Sequence, residues 1–289
     1  MKKLGLLLCA LLAVTPLLQA QVTVDLSLTQ EQFLAGQAIP LSVRVVNRSG
    51  QTLQLGDDQD WLSFVVESKD GYVITKKGDV PVDDEAFLLP SAKQAKKEVD
   101  LGPYFGFSKP GRYTVTATVF IKAWNQQISS APKAFDIISG SKMWEQEVGL
   151  PRPPAAGDAP PEIRRYALHQ ANYLKRGMTL FLQISDATGK IHKVFPVGQM
   201  VSFARPEPQV DGLSNLHLLY QDGKRSYNYT VVDPSGLVLT RQTYELTSRP
   251  RLKREENGEL KVEGGIRRVK ATDIPPPASA ENHAATATP

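Results

Sequence analysis

Val22-Thr23-Val24-Asp25-Leu26-Ser27-Leu28 alternates apolar and polar residues without a break. In an extended chain successive side chains point to opposite faces, so this stretch presents one apolar face and one polar face. The pattern returns at Leu41, Val43 and Val45, from Trp61 to Val66, and at Tyr113, Val115, Ala117 and Val119. Between these segments stand Asn47-Arg48-Ser49-Gly50 and Asp70-Gly71, residue types that tolerate the backbone of a reversal. Short strands at this spacing predict an all-β fold, a sandwich or a barrel. Composition agrees: 21 glycines and 21 prolines punctuate 289 residues, and a hydrophobic content of 41% excludes collagen-like or wholly disordered structure. The length predicts two domains.

Alternation resumes in the second half at Leu180, Leu182 and Ile184, and a strand signal follows over Ile191 to Val197, Leu216 to Gln221, Ser226 to Val232 and Leu237 to Leu246. The connections Asp186-Ala187-Thr188-Gly189, Asp222-Gly223 and Asp233-Pro234-Ser235-Gly236 carry hairpin chemistry. Ile163, Tyr166, Ala167 and Leu174 would also fit one helix face. Lys175-Arg176-Gly177 leads straight into a strand, however, which favours a hairpin there. An antiparallel β-meander or small sandwich is therefore expected over 162–270. The run Pro151-Arg152-Pro153-Pro154-Ala155-Ala156-Gly157-Asp158-Ala159-Pro160-Pro161 favours extended geometry, so 139–161 is expected to be a semi-rigid linker. Met143 to Val148 would pack back on one of the domains. From Ala271 the chain holds Pro275-Pro276-Pro277 and then mostly Ala, Thr and Ser, which predicts a disordered tail over 271–289.

Lys109-Pro110-Gly111-Arg112-Tyr113-Thr114-Val115-Thr116-Ala117 resembles the entry to strand F of an immunoglobulin-like β-sandwich, where a tyrosine corner sits. The resemblance covers about 22–138. It implies that Val115 takes the place of the second core cysteine, that Val43 or Val45 stands at the strand B partner, and that Trp61 is the strand C tryptophan. Without the cysteine pair, the segment is similar to the broad bacterial group of such sandwiches rather than to antibody domains. In strand spacing alone it also resembles the intracellular proteinase inhibitor family, from which no inhibitory loop can be carried over. Leu216 to Leu246 resembles part of one blade of a β-propeller. At about 40 to 50 residues per blade, 162–270 supplies too few to close a ring.

Lys2 and Lys3, the apolar run Leu4 to Leu18 and the small residue Ala20 make residues 1–20 a secretory signal peptide, cut after Ala20. Leu8 precedes Cys9 where a lipoprotein signal needs a small residue, and the run before it would be too short. Cys9 is the single cysteine, so the mature chain is expected to be thiol-free and periplasmic or secreted. Loss of Lys2 and Lys3 lowers the formal net charge from +4 to +2, and no nucleic-acid partner is expected.

Chemistry-bearing residues are sparse. His169, His192, His217 and His283 are far apart and follow no metal-ligand spacing. Asp211, Ser214 and His217 suggest a triad, but on an extended chain Ser214 and His217 face opposite sides, and no nucleophile elbow is present. Asp57-Asp58-Gln59-Asp60 and Asp83-Asp84-Glu85 lack the spacing of a calcium loop. No phosphate loop or dinucleotide fingerprint occurs, so no cofactor is expected. Asn47-Arg48-Ser49 and Asn228-Tyr229-Thr230 match glycosylation sequons beside turns or strands. Arg249 to Lys270 carries eight basic and four acidic residues, the pattern of a charged edge strand.

Aromatics remain: Tyr220, Tyr227, Tyr229 and Tyr244, with Trp61, Trp124 and Trp144 in or near the first region. Tyr227 and Tyr229 share one strand face and form a possible ligand platform, since flat rings stack on sugars or anchor protein partners. The sequence thus points to an exported, non-catalytic binding or structural protein whose partner is an envelope or extracellular protein or a glycan. A carbohydrate-binding module using its surface tyrosines and a hydrolase with unidentified carboxylates are the alternatives.

Overall fold

The computed structural model describes residues 22–58, 60–80, 85–107, 109–151, 161–173 and 177–277. The signal segment with Cys9, the acidic residues Asp83 and Asp84, and His283 lie outside them. The chain is all-β and its sheets are mainly antiparallel.

In the first half the strands are β1 (Val22–Leu28), β2 (Gln32–Leu34), β3 (Pro40–Asn47), β4 (Leu53–Leu55), β5 (Leu62–Ser68), β6 (Phe87–Leu89), β7 (Gln94–Asp100), β8 (Gly111–Ile121), β9 (Gln126–Ser129) and β10 (Lys133–Ile138). One sheet runs β1-β3-β7. A second runs β2-β10-β8-β5, with β9 also paired to β8, and β4 pairs with β6. The alternation quoted first does what period two requires: Leu41, Val43 and Val45 of β3 are buried, as are Tyr113, Val115, Ala117, Val119 and Ile121 of β8. They meet in one core with Phe33, Leu101 and Phe135. Each Leu, Val, Ile or Phe among them contributes about 1.5–3 kcal/mol by leaving water.

Tyr113 is the centre of this packing. Its ring lies edge-on to Phe107 at 5.4 Å and stacks on Phe135 at 5.8 Å. Its hydroxyl donates to the Lys109 carbonyl at 2.6 Å. Trp61, immediately before β5, is buried edge-on against Phe87.

The second half contains β11 (Ser141–Gly149), β12 (Ile163–Tyr173), β13 (Gly177–Asp186), β14 (Ile191–Gln199), β15 (Glu207–Val210), β16 (Leu216–Gly223), β17 (Ser226–Val232), β18 (Val238–Glu245), β19 (Arg251–Arg254), β20 (Leu260–Glu263) and β21 (Ile266–Arg268). One sheet is β11-β12-β13-β14, a second is β15-β16-β17-β18-β21, and β19-β20 is a separate hairpin. Tyr166, Leu168, Leu180, Leu182 and Ile184 of the first sheet pack on Leu216, Leu218, Tyr220 and Val232 of the second. This is a small sandwich. The expected hairpin over 163–186 is present as β12-β13, paired from Arg164–Asp186 to Tyr173–Gly177.

The structure departs from three of these expectations. Ser141–Gly149, placed in a linker by the sequence, is strand β11, and its partner is β12. The halves are therefore joined by Ser139 and Gly140 alone, and the Pro-rich run lies within the second half, between two strands of one sheet. The prolines mark a break in the strand pattern, but composition alone does not distinguish a break between domains from one between two strands of one sheet. The inner residues of that run, 152–160, lie outside the described residues. The tail does not begin at Ala271: Ile274 exchanges backbone hydrogen bonds with Arg241, and Asp273 pairs with Arg267 at 2.8 Å. Finally, Leu216 to Leu246, similar to a propeller blade in sequence, forms three central strands of a sheet packed face to face on another.

The halves meet through apolar contact. Leu34 and Ile138 pack on Ala171, Tyr173, Phe181 and Val194. Tyr173 stacks on Phe181 at 5.5 Å and donates its hydroxyl to Gln37 Oε1 at 3.2 Å. At Gly140 the backbone passes so close that a Cβ would lie 2.9 Å from Leu34 Cδ1 and 3.2 Å from the His169 Cβ.

Candidate functional site

Two arrangements in the second half bring chemistry-bearing residues together. The first is buried. The turn Asp211-Gly212-Leu213-Ser214-Asn215 folds back so that Asp211 reaches β16, where its Oδ2 lies 3.1 Å from His217 Nε2. On the other side His217 Nδ1 lies 2.7 Å from the Tyr229 hydroxyl. All donors are satisfied when Nε2–H donates to the carboxylate and the phenol donates to Nδ1. Asp211 also accepts from the Leu213 and Asn215 amides and from the Asn215 side chain. Burial acts to raise its pKa, but the Asn215 and His217 hydrogen bonds outweigh this and hold the carboxyl below its ordinary range.

Ser214 takes no part in this chain. Its Oγ donates to the Gly149 carbonyl at 2.8 Å, and its own carbonyl accepts from the buried Tyr166 hydroxyl at 2.8 Å. The triad suggested by sequence is thus a carboxylate–imidazole–phenol chain, with the serine turned to the opposite sheet. Burial pushes the Tyr229 phenol up, away from the phenolate that could act as a nucleophile. The array ties the 211–215 turn, β16 and β17 together inside the core.

This placement divides the expected platform. Tyr229 is only 7% exposed and packs with Leu219, Val231 and Leu252 under the β19-β20 hairpin, so it offers no ring to a ligand. The two tyrosines do share a face, opposite Gln221 and Leu219. Tyr227 is half-buried and lines an open hollow of about 450 Å³ with Phe203, Arg205, Glu207, Gln221 and Arg249. Phe203 is the ring the sequence reading missed. It is 82% exposed on the loop between β14 and β15, and its signal was an aromatic residue outside every alternating segment. The Phe203-Ala204-Arg205 segment also borders a second hollow of about 520 Å³, bounded by Trp144, Gln170 and Pro208. Trp144 reaches that hollow beside a register shift between Lys142 and Trp144, the kind of bulge that re-aims side chains.

Elsewhere, Asp57 accepts from Gln54 and Asp58 pairs with Lys122, so these carboxylates are engaged. Among the described residues no group of three His, Asp, Glu or Cys side chains converges as a metal set would. His169 is half-buried near the junction of the halves, and partial burial, with Lys142 nearby, lowers its pKa. His192 lies 3.5 Å from Asp186. The Asn47 side chain is buried, its Nδ2 donating to the Gln51 and Leu89 carbonyls, so the first sequon is closed in the folded chain. The basic segment forms β19, β20 and β21, where Lys253 pairs with Glu263, Lys261 with Glu255 and Arg268 with Glu245.

No family model matches the chain, and no curated protein does. Among solved structures, the sporulation control protein Spo0M from Bacillus subtilis is similar at a TM-score of 0.29 and 10% identity, covering 61% of this chain and 89% of that one. At so low a score nothing is carried over from that protein.

Proposed function

We propose that the chain is an exported, non-catalytic binding protein built of two β-sandwich units, the first of immunoglobulin type. The immunoglobulin reading is supported by the β1-β3-β7 and β2-β10-β8-β5 sheets, by the parallel pairing of β2 with β10, and by the Tyr113–Lys109 tie. The observation that carries the binding reading is Phe203, 82% exposed between two hollows that hold Tyr227, Trp144 and several polar side chains. An isolated exposed apolar residue needs no explanation, but one set on a held loop among half-buried rings has the composition of a recognition surface. The Asp211–His217 pair supports the non-catalytic side of the reading, because it ends on a buried phenol.

Affinity capture from the native envelope, with the mature chain as bait and Phe203→Ala in parallel, tests this reading. A ligand retained by the first and lost by the second is expected. Equal retention by both would move the binding surface elsewhere. Fractionation of cells bearing the full chain tests the exported location, with the mature form expected outside the cytoplasm. The carbohydrate-module alternative is favoured by one observation, the combination of exposed or half-buried rings with planar polar groups at Phe203, Tyr227, Gln221 and Arg205.

A further inference from the structure

The loop carrying Phe203 is held at its base. Met200 is buried and its amide donates to the Met178 carbonyl at 3.0 Å, the Val201 amide to Gln221 at 3.0 Å, and the Ala204 amide to Val201 at 3.3 Å. A ring presented on such a base is pre-organised, which lowers the entropic cost of meeting a ligand. The hollows on its two sides lie within the size range of small-ligand sites. They are lined by groups suited to hydroxyl-rich ligands: Arg205, Gln221, Glu207 and Arg249 on one side, Gln170 and Ser202 on the other.

Two features select among ligands. The second hollow opens where the edge strands β11 and β15 of the stacked sheets meet, and there Pro208 within β15 and Pro206 just before it have no backbone N–H to offer. An extended polypeptide adding to that edge would lack those hydrogen bonds. The charge is also unequal. Glu207 is engaged by Arg249 at 3.5 Å and by the Leu252 amide, and Lys142 is paired with Glu145. Arg205 is exposed and has no ion pair or hydrogen bond among the described residues. An exposed guanidinium without a partner, beside stacking rings, is complementary to a carboxylate on a sugar.

We propose that the two hollows flanking Phe203 together bind an acidic oligosaccharide, with the Phe203 ring under a sugar face and Arg205 on a carboxylate. This rests on the binding reading above and names its ligand class. The test uses the mature chain with galacturonate oligomers and the corresponding neutral galactose oligomers, followed by calorimetry at low and raised salt. The uronate oligomers are expected to bind in preference to the neutral ones, and more weakly as salt rises. Phe203→Ala is expected to weaken binding about tenfold while Phe203→Trp retains it, and Arg205→Gln is expected to erase the preference for the acidic oligomer. Both positions are exposed, so unchanged thermal unfolding verifies that each of the three variants is folded. Equal affinity for neutral oligomers overturns the role of Arg205. No binding of either set, with a protein ligand captured by wild type and lost in Phe203→Ala, overturns the saccharide inference and leaves the binding reading standing. No Phe203-dependent ligand of any kind overturns both.

Discussion

Tyr229 and His217 share one short hydrogen bond in the core, and its energetics can be measured residue by residue. Tyr229→Phe keeps the ring and leaves His217 Nδ1 without its donor, which costs about 1–3 kcal/mol when the orphaned group is buried. Urea denaturation of the mature chain is the check, and an unchanged midpoint would mean that water replaces the phenol freely. Tyr113→Phe breaks the bond to Lys109 and costs about 1 kcal/mol on the same scale. Asp211 adds a pH signature. Its carboxyl is lowered in the folded state, so its folded pKa lies below the unfolded value of about 4. The stability it contributes is then fully present above that unfolded value and is lost as pH falls through the folded one. Asp211→Asn is expected to be costly at about pH 7 and progressively less so towards about pH 3. A wild-type-to-variant difference that stays flat over that range would contradict the assignment.

At the scale of elements, β14 and β16 approach closely enough that side-chain size is limited. A Cβ on Gly198 would fall within contact distance of the Tyr220 hydroxyl, which itself leans on the Val197 carbonyl. Gly198→Ala is expected to destabilise the second sandwich by about 1–3 kcal/mol through overpacking, read as a lower denaturation midpoint. Tyr220→Phe should relieve part of that loss, and additive effects would place the strain elsewhere. The elements also show what could be inferred from the chain. β3 and β8, with one apolar face each, were legible because period two survives in their side chains; β13 and β17 were legible as apolar, β-branched and aromatic runs, although they bury both faces. So were the Asp186 and Asp233 turns, where the carboxylate accepts from amides two and four residues on. β7 was not, because Gln94–Asp100 is largely charged and buries only Val99. β15 was hidden by Pro208 and by Pro206 just before it, and β11 by polar residues at an exposed sheet edge. The grouping of Asp211, Ser214 and His217 was visible in the sequence, but not the turn that brings Asp211 onto His217 and sends Ser214 to the Gly149 carbonyl.

For the whole molecule the decisive feature is the contact between halves. Phe181 is almost fully buried there, facing the β2–β10 side of the first sandwich through Leu34 and Ile138. The two halves are therefore expected to unfold in one calorimetric transition. Phe181→Ala, which costs about 3–5 kcal/mol for a buried aromatic, is expected to separate that transition into two. Two well-resolved transitions in the unaltered chain would show the contact to be weak. The strands of both halves were largely legible in the sequence, but the strand Ser141–Gly149 was taken for linker, since composition marks prolines while packing decides which residues join a sheet.

The short Ser139-Gly140 joint bears on how such a chain is divided and inherited. A cut at the proline-rich run, where composition invites it, would strip β11 from its sheet and expose the apolar patch around Phe181. Neither fragment would be a finished unit. A gene fusion or domain shuffle that exchanged one half would have to carry a matching docking face with it. The pair is therefore expected to travel through evolution and expression vectors alike as one indivisible cassette.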